Sequence, residues 1–270
     1  MKKIVFGFLA AVTLLLMLWG FYQAIYAAPD EQTMHEVQRI FYYHVPSAMV
    51  AFLFFALNFE ASCWFLTAPY ARKYLRWEEN VVSGFKLPRL AAFLMRIRWK
   101  FYAWFLAPGR EQVADALAVA SAEVGVVFCT VVLITGPLWA RRAWGIWWTW
   151  DARLTTTLIL WLIYVSYLLL RRFAAGSEVQ TLAAVLAIFG GLDVPIVYMS
   201  NRWWRTQHPA PVFGGGADSG IKDPRMLAAF GWNVLAWLLW GLLILAIRFQ
   251  VERRAQRIAA QEAQTALTER

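Results

Sequence analysis

The chain has 270 residues, of which 60% are hydrophobic and 17% aromatic, against only 16% charged. A soluble domain is about half apolar and carries about a quarter of its residues as charges, so this composition excludes an ordinary soluble fold and indicates a membrane protein. The net charge of +9 comes without a separate basic domain; the cations are to be sorted by side of a bilayer, and no nucleic-acid partner is expected.

A helix needs about 20 largely apolar residues to cross roughly 30 Å of hydrocarbon, because lipid satisfies no backbone polar group. Six stretches meet this, at residues 4–26, 46–67, 114–138, 154–171, 180–200 and 226–249, so the expected fold class is all-α, a polytopic membrane protein with six transmembrane helices. The first stretch, preceded by "MKK" and followed by "YAAP", has a second reading as a signal peptide. Its apolar run is longer than the usual 7 to 15 residues of such a leader, which favours retention as a span. Residues 68–113 read as a cytoplasmic insertion, where Arg89, Arg96, Arg98 and Lys100 suit an amphipathic helix lying on anionic lipid. Residues 250–270 read as a cytoplasmic tail. With the N-terminus inside, 18 of the 26 Lys and Arg residues fall on inner segments, a bias that places both termini in the cytoplasm.

Three carboxylates fall within the spans: Glu60, Glu123 and Asp193. Glu60 lies near the inner end of its helix, where it can snorkel to water. Asp193 follows Gly190 and Gly191 and precedes Pro195, so a structural hydrogen bond to loosened backbone is expected of it. Cys63 and Cys129, both inside spans, read as small apolar packing residues.

The chemistry-bearing residues collect in the outer loops. All three histidines are there: His35 in a polar stretch, His44 in "FYYHVP" just before the second span, and His208 in "NRWWRTQHP" soon after the fifth. Between them, "WGIWWTWDARLT" carries Trp144, Trp147, Trp148, Trp150, Asp151 and Arg153. An aromatic belt accounts for scattered residues such as Trp19, Trp99 and Trp232, but not for four tryptophans in one loop. At helical spacing Trp144, Trp147, Trp148 and Asp151 share a face, and an interfacial helix would present them as a platform. Asp151 either caps the next span or orients Arg153. Two histidines do not by themselves name a metal. Flat aromatic surface around two imidazoles, without Cys or clustered carboxylates, suits a planar macrocycle with two axial nitrogens, and haem fits. Its propionates would need cations, for which Arg153, Arg202 and Arg205 are placed.

The segment "WGIWWTWDARLTTTLILWLIY" resembles the WWD signature of haem-handling proteins. "RIFYYHVP" and "LDVPIVYMSNRWWRTQHP" are similar to the two histidine-bearing loops of the haem exporter protein C family of cytochrome c maturation. The resemblance runs from about Gln38 to Phe249 and keeps the family's order of motifs; only the 68–113 segment is longer than the family pattern. It implies a non-enzymatic protein of the bacterial inner membrane that binds haem b at the periplasmic face and delivers it to a periplasmic haem chaperone. It further implies His44 and His208 as axial iron ligands, the WWD loop as haem platform and docking surface, and ABC transporter subunits and a small membrane accessory subunit as partners. ATP use would belong to a partner, since no GxxxxGK[ST] loop occurs. Two other readings exist. A cytochrome c synthase of the WWD group would be expected to have more spans and more histidines. A bis-His electron carrier would be expected to hold both histidines inside helices.

Overall fold

The computed structural model describes residues 2–83, 93–95, 97, 100, 107, 109–176, 178–208 and 220–269. The fold is all-α. Among the described residues six helices are long and apolar enough to cross a membrane: α1 (Lys2–Tyr22, continued by a π turn, Gln23–Ala27), α2 (Phe41–Ser83), α3 (Arg110–Trp144), α4 (Ala152–Phe173), α5 (Val179–Trp203) and α6 (Pro224–Thr268). A 3₁₀ turn, Glu36–Ile40, leads into α2.

Two helices run far beyond the apolar stretches that announce them. At 1.5 Å per residue, the 43 residues of α2 and the 45 of α6 reach about 65 Å, twice the hydrocarbon thickness. Thus the first sixteen residues assigned to the insertion continue α2, with Pro69 inside the helix, and nearly the whole tail continues α6. The amphipathic stretch around Arg89, Arg96 and Arg98 lies outside the described residues.

The core centres on α2 and α3, with α4 and α5 packed on one side and α6 on the other; α1 is peripheral and rests on α6. In lipid there is no hydrophobic force between helices, so close contact and buried hydrogen bonds decide the packing. Phe55 of α2 stacks on Tyr164 of α4 at 3.9 Å and 10°. The same Phe55 ring lies so close to Gly125 of α3 that a Cβ there would sit 2.5 Å from it, which explains a glycine in mid-span. Asn58 donates to the Ala118 carbonyl at 2.7 Å, tying α2 to α3. Asn233 of α6 donates to Gly20 of α1 at 2.9 Å, the polar clasp that holds the peripheral helix. Arg39 bonds the Ala24 and Ile25 carbonyls, which lie in the π turn, and pairs with Asp30 at 2.7 Å, fixing the entry into α2.

At the end remote from the histidines, charges cross-link the helices. Arg72 of α2 grips Glu111 of α3 through two bonds of 2.8 and 2.9 Å. Asp115 of α3 accepts from Arg171 of α4 (2.9 Å), Gln180 of α5 (3.2 Å) and Gln256 of α6 (2.9 Å). Glu123 is bound by the Arg248 guanidinium, so this intramembrane carboxylate is a helix tie. Glu60 is exposed, but because α2 continues to Ser83 it lies in mid-helix and not near a helix end. Asp193 differs from expectation: its Oδ2 is buried with no hydrogen-bond partner among the described residues. Cys129 lies in the core cluster, while Cys63 is half-buried.

Candidate functional site

His44 does not sit in a loop. The 3₁₀ turn passes directly into α2, so helix begins before the apolar stretch and His44 occupies its first turn. The residue is buried, 8% exposed. Its ring meets Trp139 of α3 edge to face, 5.8 Å between centroids. Across the same gap Gly136 leaves only ordinary contact distance to His44 Cε1, 3.5 Å from where a Cβ would stand.

The hydrogen bonding of His44 defines its tautomer. Nδ1 lies 2.8 Å from Thr135 Oγ1, and that hydroxyl also lies 2.7 Å from the Val131 carbonyl. A hydroxyl has one proton. Both bonds are satisfied only if Thr135 donates to Val131 and accepts from His44 Nδ1–H. The neutral ring then carries its lone pair on Nε2, the form in which imidazole ligates a metal.

His208 approaches from the other side of the sequence, five residues past the end of α5. Its backbone N–H donates to Thr206 Oγ1 at 3.0 Å, and the Thr206 hydroxyl donates to Asp151 Oδ2 at 2.5 Å. Thus the structure ties the His208 loop to the start of α4, at the end of the bundle where His44 lies. His35 stays apart on the exposed turn before α2, the one non-glycine residue with positive φ among those described.

The aromatic loop departs from the expected helical platform. α3 ends at Trp144 because Gly145 takes φ +78°, a left-handed conformation that stops the helix. Residues 145–151 are irregular, so Trp144, Trp147, Trp148 and Asp151 share no helical face. Trp148 and Trp150 instead meet edge to face at 5.7 Å, and the Arg141 guanidinium stands 6.0 Å over Trp147. Trp147 and Trp150 are 56% and 75% exposed, whereas the Trp148 indole N–H is buried with no partner among the described residues. Of the two roles open to Asp151, the structure displays the cap: Oδ1 accepts from the Leu154 N–H at 2.9 Å. The other oxygen accepts from Thr206 and, at 3.4 Å, from Thr149.

Arg153 is half-buried and donates to the Tyr198 carbonyl at 3.4 Å. Arg202 lies over the Tyr198 ring at 5.3 Å, and Arg205 is exposed. Trp203 and Trp204 add a further edge-to-face pair beside His208, both half-exposed. Trp139, Thr135 and Thr206 escaped the sequence reading. Trp139 had a signal, since it lies four residues from Thr135 and five from Trp144 on one span; a threonine hydroxyl had none.

This is a polytopic helical membrane protein in which two histidines, a cluster of tryptophans and several arginines meet at one end of the bundle. No group of three or more His, Cys, Asp or Glu side chains suited to a metal ion occurs among the described residues. The profile of the "Heme exporter protein C" family matches residues 91–265. The chain is 30% identical over 258 residues to the heme exporter protein C of Bradyrhizobium diazoefficiens, covering 94% of this chain and 81% of that one. It is 26% identical over 239 residues to that of Escherichia coli K12, covering 86% and 76%, and 27% identical over 248 residues to that of Haemophilus influenzae, covering 90% and 82%. The chain belongs to the heme exporter protein C family.

Proposed function

We propose that this protein handles haem for cytochrome c maturation by holding haem b at the histidine end of the bundle, with His44 and His208 as axial ligands, and delivering it to a periplasmic haem chaperone. The observation that carries this reading is a buried His44 ring whose Nδ1 is already engaged by Thr135, leaving Nε2 as its ligating atom, at the same end of the bundle as the His208 loop that Thr206 ties to Asp151. The surroundings fit such a cargo. The exposed rings of Trp147 and Trp150 offer flat apolar surface for a macrocycle, and the unpartnered Trp148 N–H and the Arg153, Arg202 and Arg205 guanidiniums suit its propionates. When bound, the iron supplies the two coordination positions that the imidazoles fill. The chain itself orients the ring and excludes water around His44.

The distribution of Lys and Arg supports an inner-membrane placement with both termini cytoplasmic and the haem site periplasmic, and with the 68–113 segment and the 250–270 tail inside. The family supports ABC transporter subunits and a small membrane accessory subunit as partners. A role as carrier and presenter agrees with the transport component that the family's description names. The electron-carrier reading is not favoured: His44 is helical, but His208 lies beyond the end of α5.

The test is haem content and Soret spectrum of the purified protein. His44→Ala and His208→Ala should each lose most bound haem, exogenous imidazole should restore it, and His35→Ala should behave as wild type. Unchanged spectra in both variants would remove the ligand assignment.

A further inference from the structure

The His44 ring is oriented by one side chain that belongs to neither the histidine loops nor the tryptophan loop. Thr135 lies in α3, 91 residues away in sequence, and its hydroxyl stands 2.8 Å from His44 Nδ1 while bonding the Val131 carbonyl one turn back. The back-bond fixes the rotamer of Thr135 against its own helix. Because its proton goes to Val131, the hydroxyl faces His44 as an acceptor. The contact is enclosed: His44 is 8% exposed, Trp139 closes one side at 5.8 Å, and Gly136 sits against Cε1. Water has little access to replace a lost acceptor there.

We infer that Thr135 is a positioning residue for haem binding: it takes the Nδ1 proton of His44, holds the ring in the tautomer whose Nε2 carries the lone pair, and makes that nitrogen a stronger donor to iron. A ligating imidazole that gives its other N–H to an acceptor is held in orientation and gains basicity, and loss of such a partner typically costs 10–100-fold in metal affinity. The inference rests on the reading of His44 as an axial ligand. It adds the reason why this histidine is buried in the first turn of a helix while its partner sits outside one: α2 and α3 must be in register for Nδ1 and Oγ1 to meet. A Val at position 135 keeps the shape and removes the acceptor. A Ser keeps the acceptor and removes a methyl group.

The experiment uses the full-length protein in detergent, loaded with haemin, and reads haemin loss to excess apomyoglobin together with the ferric/ferrous midpoint potential. Thr135→Val should lose haemin at least about tenfold faster, its potential should rise because a less basic imidazole stabilises ferric iron less, and Thr135→Ser should return both values toward wild type. Wild-type retention and potential in Thr135→Val, alongside haem loss in His44→Ala, would overturn the inference and leave the ligand assignment standing. Haem loss in Thr135→Val that Ser does not rescue would likewise overturn it, as a packing effect. Unchanged haem binding in His44→Ala would overturn the reading beneath it. Should Thr135→Val not fold, His44→Gly supplies the decision: imidazole should restore the low-spin spectrum better than 1-methylimidazole, which has no N–H for Thr135. Equal restoration by the two would refute the role of the hydroxyl.

Discussion

The two ends of the bundle solve opposite problems with similar residues. At the end remote from the histidines, Asp115, Arg171, Glu252, Glu123 and Arg248 answer one another across α3, α4 and α6, so buried charges are matched inside the protein. At the histidine end the one carboxylate of the tryptophan loop, Asp151, is committed to a helix cap and to hydroxyls. There Arg153 donates to a carbonyl, and the buried Trp148 N–H has no described partner. A buried donor with no described partner is costly unless an acceptor completes it. The first end holds helices together, and the second leaves a buried donor and exposed flat rings, as the proposed haem reading requires.

That contrast breaks most sharply by removing one partner from the matched end. Arg171→Leu leaves Asp115 buried beside Glu252 without its cation; the side chains of Asp115 and Arg171 are only 5% and 12% exposed. Breaking such a pair costs about 3–5 kcal/mol, so the variant should accumulate poorly and melt well below wild type, while the folded fraction binds haem normally. A wild-type melting temperature would show that the cluster is not holding the helices.

At the ligand end the order of effects should reverse, with binding lost before stability. Thr206→Val removes the bond to Asp151 and the acceptor for the His208 N–H. We expect about 1 kcal/mol of destabilisation but a haem off-rate raised about tenfold, on the scale of other outer-shell substitutions. Equal haem retention would mean that the Asp151–Thr206 tether does not position His208.

Replacing Trp147 and Trp148 together with Phe asks whether the loop is more than an interfacial belt. A belt would tolerate the change, since a ring persists at the same depth. A shaped platform loses stacking area and the buried Trp148 N–H, so haem should remain detectable, loading of the chaperone should fall severely, and melting should shift little. Full loading at matched protein level would return these residues to the belt.

The smallest effect concerns the turn before α2. The Met34 backbone N–H, above all, and the Thr33 groups hold the Glu31 carboxyl below its usual range. Its contribution is therefore present above the ordinary glutamate pKa and fades as pH falls through the depressed folded value. Because the group is solvated, screening keeps this small. Glu31→Gln should flatten slightly the loss of thermal stability below pH 4.5, and identical acid limbs in the two proteins would count against the turn.

The glycine that ends α3 shows where the reading of sequence stopped. The (i, i+3, i+4, i+7) spacing of Trp144, Trp147, Trp148 and Asp151 suggested a shared face, yet such spacing means something only on helical backbone. Arg141 and Arg142 followed by Gly145 is a helix C-terminus signature, and it was there to be used. In α2, apolar character fades near Thr67 while the helix continues to Ser83, because hydropathy reports where lipid ends, and backbone bonds do not end with it.

Sequence by itself determined the all-α class, the six spans and the grouping of His44, His208 and the tryptophans on one side, since each follows from local composition: apolar runs must be helical in lipid, and alternate connections share a side. Tertiary structure alone decided which histidine is enclosed in a helix, that Thr135 meets it across the bundle, that Thr206 joins the His208 loop to Asp151, and which intramembrane carboxylates are paired. These depend on the rotation and depth of one helix against another, set by contacts such as Phe55 on Gly125 and Asn233 on Gly20. A threonine that orients an imidazole carries the same local signal as one that does not.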